Sequence, residues 1–334
     1  MKKQLLLLVL AVFAGFSSLF AQPCQPDGPL SPSAGLPYSY TATVSGAGYD
    51  GTGPFTWYVT KDVDLINGAV VPNNGGEIIA SGAGSYNAPI NGANSITIEW
   101  TSQAIANNVP YYLVIKYSQT NSGTNPACSA MNMKVWQIKP QNKFLLAVNS
   151  FAGSIGMDGV YCSADVSSAI VTPGASPTVA YIYGVNTIYA EITASKYSGP
   201  WTPSFKITGL DAIQTIGSVT WDTSPTGTFT NTTTPGAGPG EYVATSNATA
   251  AYDGSLKIYL KVDINNNSFE NLAGLTVNVA VDGVIPSTPP LPDVISDTDC
   301  TPEVPFGKNT NLTIKARPTI TPDPATGNFI PKNP

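Results

Sequence analysis

Residues 256–263 read Leu-Lys-Ile-Tyr-Leu-Lys-Val-Asp, and residues 275–281 read Leu-Thr-Val-Asn-Val-Ala-Val. In both stretches every second side chain is apolar. Successive side chains of an extended chain point to opposite faces, so this period of two is typical of a half-buried β-strand. The pair predicts two strands joined by a hairpin-type loop over 265–274.

The same alternation recurs along most of the chain. It predicts strands at Tyr38–Val44, Phe55–Thr60, Ile96–Thr101 and Tyr111–Tyr117 in the first half, and shorter ones at Val179–Tyr183, Ile188–Thr193, Ser204–Ile207, Ser218–Trp221 and Leu312–Lys315. No helical apolar stripe longer than two turns is present. Short strands separated by Gly, Pro, Asn and Ser turns favour an all-β fold of antiparallel sandwiches, and we expect Trp57, Trp100 and Trp221 in their cores.

The length of the chain suits two sandwiches rather than one of about 100 residues. We expect a signal peptide over 1–21, a first β-sandwich domain over 22–150, a second over 151–317 and a Pro/Thr-rich tail over 318–334.

The N-terminus has the three regions of a secretory signal peptide. Lys2 and Lys3 precede an apolar run over 5–13, and cleavage is expected after Ala21. The run is shorter than the ~20 residues of a spanning helix, so a membrane anchor is the less favoured interpretation. The predicted location is extracellular or on the cell surface, with no membrane insertion of the mature chain.

Export makes the four cysteines, Cys24, Cys128, Cys162 and Cys300, candidates for disulfides, because oxidising compartments allow pairing. Four cysteines permit three connectivities. The simplest pairs Cys24 with Cys128 and Cys162 with Cys300, one bond within each predicted domain. Unpaired buried thiols are the alternative.

The composition argues against several classes of function. The formal charge of −6 becomes −8 when Lys2 and Lys3 leave with the signal peptide, which disfavours nucleic acid and anionic membranes as partners. The chain has no histidine, no phosphate-binding loop and no Cys-x-x-Cys pair, so we expect no cofactor and no enzymatic activity. A glycosidase needs only two carboxylates and stays an alternative. The acidic residues in Asp50-Gly51, Asp253-Gly254 and Asp282-Gly283 are explained by turns.

Two sets of residues are candidates for ligand contact. Two incomplete sets of side chains are candidate calcium ligands. The first is Asp263, Asn265 and Asn267, and the second is Asp297, Asp299 and Glu303. The first lacks the glycine and glutamate of a calcium loop, having Ser268 and Gly274 there, so we predict no metal site. Tyrosines assigned to outward faces could stack on sugars, although solitary surface tyrosines are ordinary; they are Tyr58, Tyr112, Tyr189 and Tyr259.

Phe20-Ala21-Gln22 at the cleavage site resembles exported proteins of Bacteroidota. Phe55–Val59, Ser95–Trp100 and Tyr111–Tyr117, ahead of Cys128, resemble PKD or immunoglobulin-like surface domains of that group, over the first third of the chain. The resemblance implies immunoglobulin-like sandwiches that serve as spacers, adhesive modules or repeat units of surface proteins.

The sequence therefore predicts a secreted structural or adhesive protein, with a self-assembling extracellular filament subunit as its most specific form. Its partners would be other copies or other surface proteins, joined by strand addition at sheet edges. The tail or the segment from Gln22 to Pro37 would serve as an exchangeable arm. The alternative is a carbohydrate-binding module of a secreted polysaccharide-handling system, with glycans as partners.

Overall fold

The computed structural model of the chain describes residues 24–46, 48–82, 86–121, 128–153, 156–175 and 177–320, with the backbone alone at 128, 152, 153, 156 and 157. The predicted signal peptide and most of the tail lie outside these ranges. The described part is almost entirely β-structure.

The described part of the first half holds seven strands and one short helix. They are β1 (Pro37–Thr41), β2 (Pro54–Thr60), β3 (Ile78–Ser81), β4 (Ile90–Asn91), β5 (Ser95–Trp100), α1 (Ser102–Ala106), β6 (Tyr111–Asn121) and β7 (Cys128–Ile138).

The second half holds the remaining strands. They are β8 (Leu145–Ser150), β9 (Ala152–Gly153), β10 (Gly156–Met157), β11 (Val160–Tyr161), β12 (Val166–Thr172), β13 (Thr178–Ser195), β14 (Gly199–Thr208), β15 (Thr215–Asp222), β16 (Asn231–Pro235), β17 (Glu241–Ala244), β18 (Ala248–Ala250), β19 (Lys257–Asn267), β20 (Leu275–Ile285), β21 (Leu291–Pro292), β22 (Val294–Ser296), β23 (Asp299–Pro302) and β24 (Lys308–Ile314).

The first sandwich is built from two antiparallel sheets. One has the order β1-β5-β3 and the other β4-β2-β6-β7. Their facing sides bury a core that includes Phe55, Trp57, Ile98, Trp100 and Leu113. The prediction that Trp57 and Trp100 are core residues is confirmed, since both are fully buried.

The second sandwich is larger and its two layers are joined by β16. One layer runs β12-β13-β19-β15, with β8 also paired to β13, and the other runs β11-β24-β20-β14-β17; β16 pairs with both β15 and β17. The pairing is antiparallel except between β11 and β24. Trp221 is buried here, as predicted, beside Trp201, Phe205 and Leu260. The predicted all-β architecture of antiparallel sandwiches is confirmed.

Strand pairing changes at one point along the chain. β7 ends at Ile138 and pairs with β6, whereas β8 begins at Leu145 and pairs with β13. The domain boundary at residue 150 stays a prediction. A boundary drawn by strand pairing falls between these two strands.

The structure corrects several predicted local features. The segments at Val179 and Ile188 belong to one strand, β13. β19 continues to Asn267, so the predicted loop over 265–274 begins later than expected. Asp282-Gly283 lies inside β20 rather than in a turn. Gly283 is needed there for space, because a Cβ would lie 2.7 Å from the ring of Trp201.

The two sandwiches contact one another through α1 and the chain that follows β20. The Gln103 amide donates to the Thr288 carbonyl at 2.8 Å, and the Thr288 backbone N–H donates to Gln103 at 3.0 Å. The Asn142 amide donates to the Pro292 carbonyl at 2.6 Å. Ile105 of α1 is buried in the core of the second sandwich. These contacts make the junction an ordered part of the molecule.

The predicted disulfide pairing within each half is wrong. Cys24 is bonded to Cys300, with a Cα–Cα distance of 5.1 Å, and Cys162 is a free, exposed thiol. Proximity along the chain suggested the other pairing, but the N-terminal segment runs against the β22–β23 hairpin, where the Cys24 N–H donates to the Thr298 carbonyl at 3.2 Å. The bond therefore spans both halves.

Candidate binding surfaces

A groove opens along one side of the first sandwich, between residues 42–45 and the strand β7. It has a volume of about 410 Å³. It exists because β1 ends at Thr41, whereas β6 and β7 of the facing sheet extend further along the sandwich. No strand of the described first sheet covers this end of the β6–β7 pair.

The groove has an apolar floor and a polar rim. Phe55 and Ile115 are buried at its base, and the Tyr117 ring packs against Phe55 with ring centres 4.6 Å apart. Asn132 and Lys134 lie exposed on β7 at the mouth. Such a lining accepts apolar side chains below and hydrogen-bonding groups above.

β7 forms one edge of its sheet. Its register with β6 runs from Tyr111 opposite Ile138 to Asn121 opposite Cys128, and among the described strands it has no partner on its other side. Met131 and Val135 of this strand are exposed. An unpaired edge presents main-chain N–H and C=O groups that another extended chain can bind.

The segment that precedes β1 packs against the rest of the molecule over its described residues, and its predicted role as an exchangeable arm stays a prediction. Ser31 to Ala34 are buried. The Lys139 N–H donates to the Leu30 carbonyl at 2.9 Å, and the disulfide fixes the start of the segment. At Gly35 the chain passes so close to the second sandwich that a Cβ would lie 2.0 Å from the Ser198 carbonyl oxygen.

Asp27 lies in the exposed first part of this segment and makes several of the polar contacts that hold it. Its carboxylate accepts hydrogen bonds from the hydroxyls of Tyr38, at 2.6 Å, and Tyr252, at 2.5 Å, and from Ser33. Lys143, which is 4% exposed, lies 3.8 Å away. The carboxylate thus ties the N-terminal segment to residues of both sandwiches.

Opposing effects act on the charge of Asp27. Burial alone would raise the pKa of this carboxyl, but the hydrogen bonds from Tyr252 and Tyr38 and the charge of Lys143 outweigh it and lower the pKa below its ordinary value. Burial lowers the pKa of Lys143, while Asp27 opposes that change. The pair is a structural ion pair at the junction.

Asp293 is a buried carboxyl that the sequence did not single out. It is 1% exposed, and its Oδ2 atom has no hydrogen-bond partner. Burial, reinforced by the nearby carboxylates of Asp282 and Glu303, raises its pKa well above the ordinary value. The neutral form is therefore favoured in the folded protein. An Asp beside Pro292 in a turn-rich stretch gives no pattern from which this burial could be predicted.

The four tyrosine candidates do not form one platform. The outward placement of Tyr58 was wrong: it is 5% exposed, its hydroxyl donates to the Leu65 carbonyl, and the Lys116 ammonium lies 5.0 Å from its ring centre. Tyr112 is half-buried in the first sandwich. Tyr189 and Tyr259 are half-buried in the second.

Tyr189 and Tyr259 share one face of the second sandwich. Tyr189 lies opposite Lys261 and Tyr259 opposite Glu191, which makes the two tyrosines diagonal neighbours on the outer side of β13 and β19. The Tyr259 ring contacts Phe151 and the Tyr189 ring contacts Phe229, at centre distances of 5.0 and 5.7 Å. The sequence grouped these tyrosines by orientation, but their aromatic neighbours come from distant loops.

The calcium candidates are engaged with protein groups. Asp263 lies within β19 and accepts hydrogen bonds from Thr187 at 2.6 Å and Ser218 at 2.7 Å, with Lys261 at 3.1 Å. Asn265 lies on the same strand, and Asn267 donates to the Ile213 carbonyl at 2.7 Å. In the second set, Asp299 accepts from the Thr301 N–H, Asp297 is exposed, and Glu303 pairs with Lys308 at 2.9 Å. Among the described residues, no three Asp, Glu, His or Cys side chains converge as metal ligands.

The described residues also contain no helix that is long and apolar enough to cross a membrane. The one helix described, α1, has five residues.

Comparisons with known proteins give no family. No protein-family model matches the chain, and no curated protein matches it. Among solved structures, similarity extends to a membrane-anchored protein from Corynebacterium diphtheriae, with 13% identity over 92% of this chain and 61% of that one and a TM-score of 0.20. The full-length major pilin SpaD from Corynebacterium diphtheriae shows 11% identity over 83% of this chain and 63% of that one, with a TM-score of 0.23.

A third similar structure is the collagen adhesin (CNA) from S. aureus, with 8% identity over 86% of this chain and 89% of that one and a TM-score of 0.21. This chain spans about three fifths of the length of the two Corynebacterium diphtheriae proteins. TM-scores this low carry no argument about what the chain does.

Proposed function

We propose that the chain is an extracellular structural or adhesive protein that joins other chains by main-chain pairing at exposed sheet edges, without catalysis. The observation that carries this proposal is β7, an 11-residue strand that pairs on one side only among the described strands and lies beside an open groove. An extended segment added to β7 would form a ladder of main-chain hydrogen bonds. Alternate side chains of that segment would enter the groove.

The groove sets the chemistry of the segment that it accepts. Phe55, Ile115 and Tyr117 favour apolar side chains at alternate positions, since burial of each such side chain is worth about 1.5–3 kcal/mol. Asn132 and Lys134 at the mouth favour a segment with carbonyl or carboxylate acceptors nearby. These preferences describe a short, mostly uncharged, extended peptide.

The tail over 318–334 of a neighbouring copy is our candidate for this segment. The N-terminal segment is held by its disulfide and by buried contacts, which leaves the tail as the proposed arm. The large apolar residues of the tail are Ile320, Phe329 and Ile330, and residues 321–334 lie outside the described part. A tail from one copy bound at β7 of the next would give a head-to-tail contact, which generates a filament when repeated.

Negative-stain microscopy and sedimentation of residues 22–334, purified under oxidising conditions, test this proposal. We expect fibres or large species that are lost when the tail is deleted and when Met131 is changed to Lys, because a second lysine on the edge of β7 opposes pairing. Val63→Lys makes the same charge change at an exposed loop position and should leave assembly intact. Assembly that survives both the tail deletion and Met131→Lys would refute the tail-to-β7 contact. A monomer at every concentration would refute the filament.

The second candidate function is glycan binding on the outer face of β13 and β19. It is favoured by the adjacent Tyr189 and Tyr259, each braced by another aromatic ring, and by the Glu191–Lys257 ion pair beside them. Aromatic faces and charged hydrogen-bonding groups together suit sugars. Retention on an insoluble polysaccharide should then be lost in Tyr259→Ala and kept in Tyr112→Ala. Equal retention by the two variants would contradict this function.

A further inference from the structure

The strand β12 forms an exposed edge of the second sandwich. It pairs with β13 on one side and is the terminal strand of its layer in the described part of the chain. Every residue of β12 except Ser168 is exposed, and the exposed apolar residues include Ile170 at 58% and Val171 at 49%. Natural proteins rarely leave a long apolar edge uncovered.

Charge and proline, two of the usual devices that block edge pairing, are missing from β12, and its register irregularity is confined to its start, between Val166 and Ser168. No charged residue and no proline occur in its sequence, Val-Ser-Ser-Ala-Ile-Val-Thr, and no residue between Asp165 and Glu191 is charged. By contrast, β7 carries the exposed Lys134 and β24 begins with Lys308. Because β12 carries no charged side chain, another uncharged strand can pair with it without having to desolvate a charge.

We propose that β12 binds β12 of a second copy of this chain, antiparallel and centred on Ala169, so that the second sandwiches of two copies share one continuous layer. With Ala169 opposite its own counterpart, Ile170 faces Ser168 and Val171 faces Ser167 of the other copy. Each branched apolar side chain then meets a small one. The same patch serves both copies, which is the arrangement of a two-fold dimer.

The positions of apolar residues on the β12–β13 hairpin also favour a second copy as the partner. Ile182 of β13 lies opposite Ser168, and Ala180 lies opposite Ile170, so Ile170 and Ile182 are diagonal neighbours on one face. Joining two copies places Ile170 of each diagonally beside the other. The separate exposed patches then form one apolar stripe across the joined layer.

Charge selects the antiparallel arrangement. Asp165 directly precedes β12, and a parallel, in-register pair would place the two copies of this carboxylate side by side. In the antiparallel pair the two are eight positions apart along the strands, or ~27 Å. Repulsion at that distance is largely screened at physiological salt.

This inference rests on the proposed function for its biological setting but concerns a different edge. The tail-to-β7 contact extends a filament from head to tail, whereas the β12 contact makes a two-fold dimer. The two contacts can therefore fail independently.

Cysteine crosslinking of the full chain tests the register. In a background with Cys128→Ser and Cys162→Ser, Ala169→Cys should form a covalent dimer on mild oxidation, because residues opposite one another in an antiparallel pair lie ~4.5–5.5 Å apart at Cα, within disulfide range. Thr172→Cys is the matched control. Its two copies would be ~20 Å apart and should not crosslink.

Sedimentation of the full chain tests the surface itself. Ile170→Lys should weaken dimerisation at least tenfold, whereas Val63→Lys should not change it. Both residues are exposed, so neither change disturbs a core. Dimers that form equally well in Ile170→Lys, or Ala169→Cys that yields no more covalent dimer than Thr172→Cys, would overturn the β12 contact. Loss of fibres with retained Ala169→Cys crosslinking would overturn the filament and leave the dimer standing.

Discussion

At the scale of single residues, Asp293 shows how burial sets the pH dependence of stability. Its carboxyl lies in the interior with one oxygen unpartnered, and burial together with Asp282 raises its pKa. The folded state therefore keeps this proton to a higher pH than the unfolded state, which releases it near pH 4. A group with a raised folded pKa binds more protons when folded, so its contribution to stability falls as the pH rises from about 4 through neutrality.

Replacing Asp293 by Asn should remove this pH dependence, because the amide is neutral at every pH. The free energy of unfolding of Asp293→Asn minus that of the parent should be larger at pH 8 than at pH 5. We expect the increase to exceed about 1 kcal/mol, which corresponds to a pKa shift of about one unit. Chemical denaturation at a series of pH values measures it. Asp253 lies at an exposed turn and its pKa is lowered, so the difference in stability between Asp253→Asn and the parent should stay constant between pH 5 and pH 8. A constant difference across the range would contradict a protonated Asp293.

Asp27 predicts the opposite pH behaviour. Its folded pKa is lowered, so its contribution is present at neutral pH and is lost as the pH falls through that value, below about 4. Asp27→Asn removes the counter-ion of the buried Lys143 and should cost about 1–3 kcal/mol at pH 7. The difference in stability between the variant and the parent should shrink as the pH is lowered below about 4. The same change at the exposed Asp297 serves as control, and an equal loss there would contradict a specific role for Asp27.

At the scale of the strands, the packing of β14 against β20 depends on Gly283. The glycine lies opposite Pro203, and a Cβ at this position would meet the ring of Trp201 at 2.7 Å and Leu146 at 3.0 Å. Gly283→Ala should therefore destabilise the protein by about 1–3 kcal/mol, the usual cost of overpacking a core. Thermal unfolding measures the change. Gly28→Ala is the control, since nothing lies within 4 Å of its Cβ, and equal stability of the two variants would exclude overpacking.

The sequence indicated strands well where one face is buried and the other is solvated. The burial of β5 and β19 alternates along their length because each has one face on a core and the other turned outward, whereas the outer face of β2 and β6 is partly covered, at Tyr58 and Val114. β7 and β12 were missed for the converse reason: their residues are exposed on most sides, so no alternation develops. The candidate interaction edges are thus the strands whose sequences carry the weakest periodic signal.

The binding surfaces were harder to predict than the fold. Tyr58 alternates like an outward residue, but the loop near Leu65 covers it, and no local pattern encodes that long-range contact. Likewise the groove depends on β1 ending before β6 and β7 do. A difference in strand length between two sheets is a property of their packing rather than of either sequence segment.

At the scale of the whole molecule, the two sandwiches are held together by several contacts rather than by a single linker. The N-terminal segment lies between them, α1 enters the second core, and the disulfide joins the first described residue to the β22–β23 hairpin. Extensive ordered contacts of this kind oppose relative motion of the two halves. A chain that transmits tension between partners bound at β7 and at β12 would pass it through this junction.

The disulfide should accordingly stabilise both halves together. It closes a loop with a sequence separation of 276, and the chain-entropy model assigns about 5 kcal/mol to loops of this size. Cys24→Ser with Cys300→Ser should lower the melting temperature of both sandwiches in calorimetry, because the N-terminal segment that the bond anchors packs on each. Cys162→Ser removes a thiol that is free and exposed and should leave the melting temperature unchanged. A loss confined to one calorimetric transition would show that the bond braces a single sandwich instead of the pair.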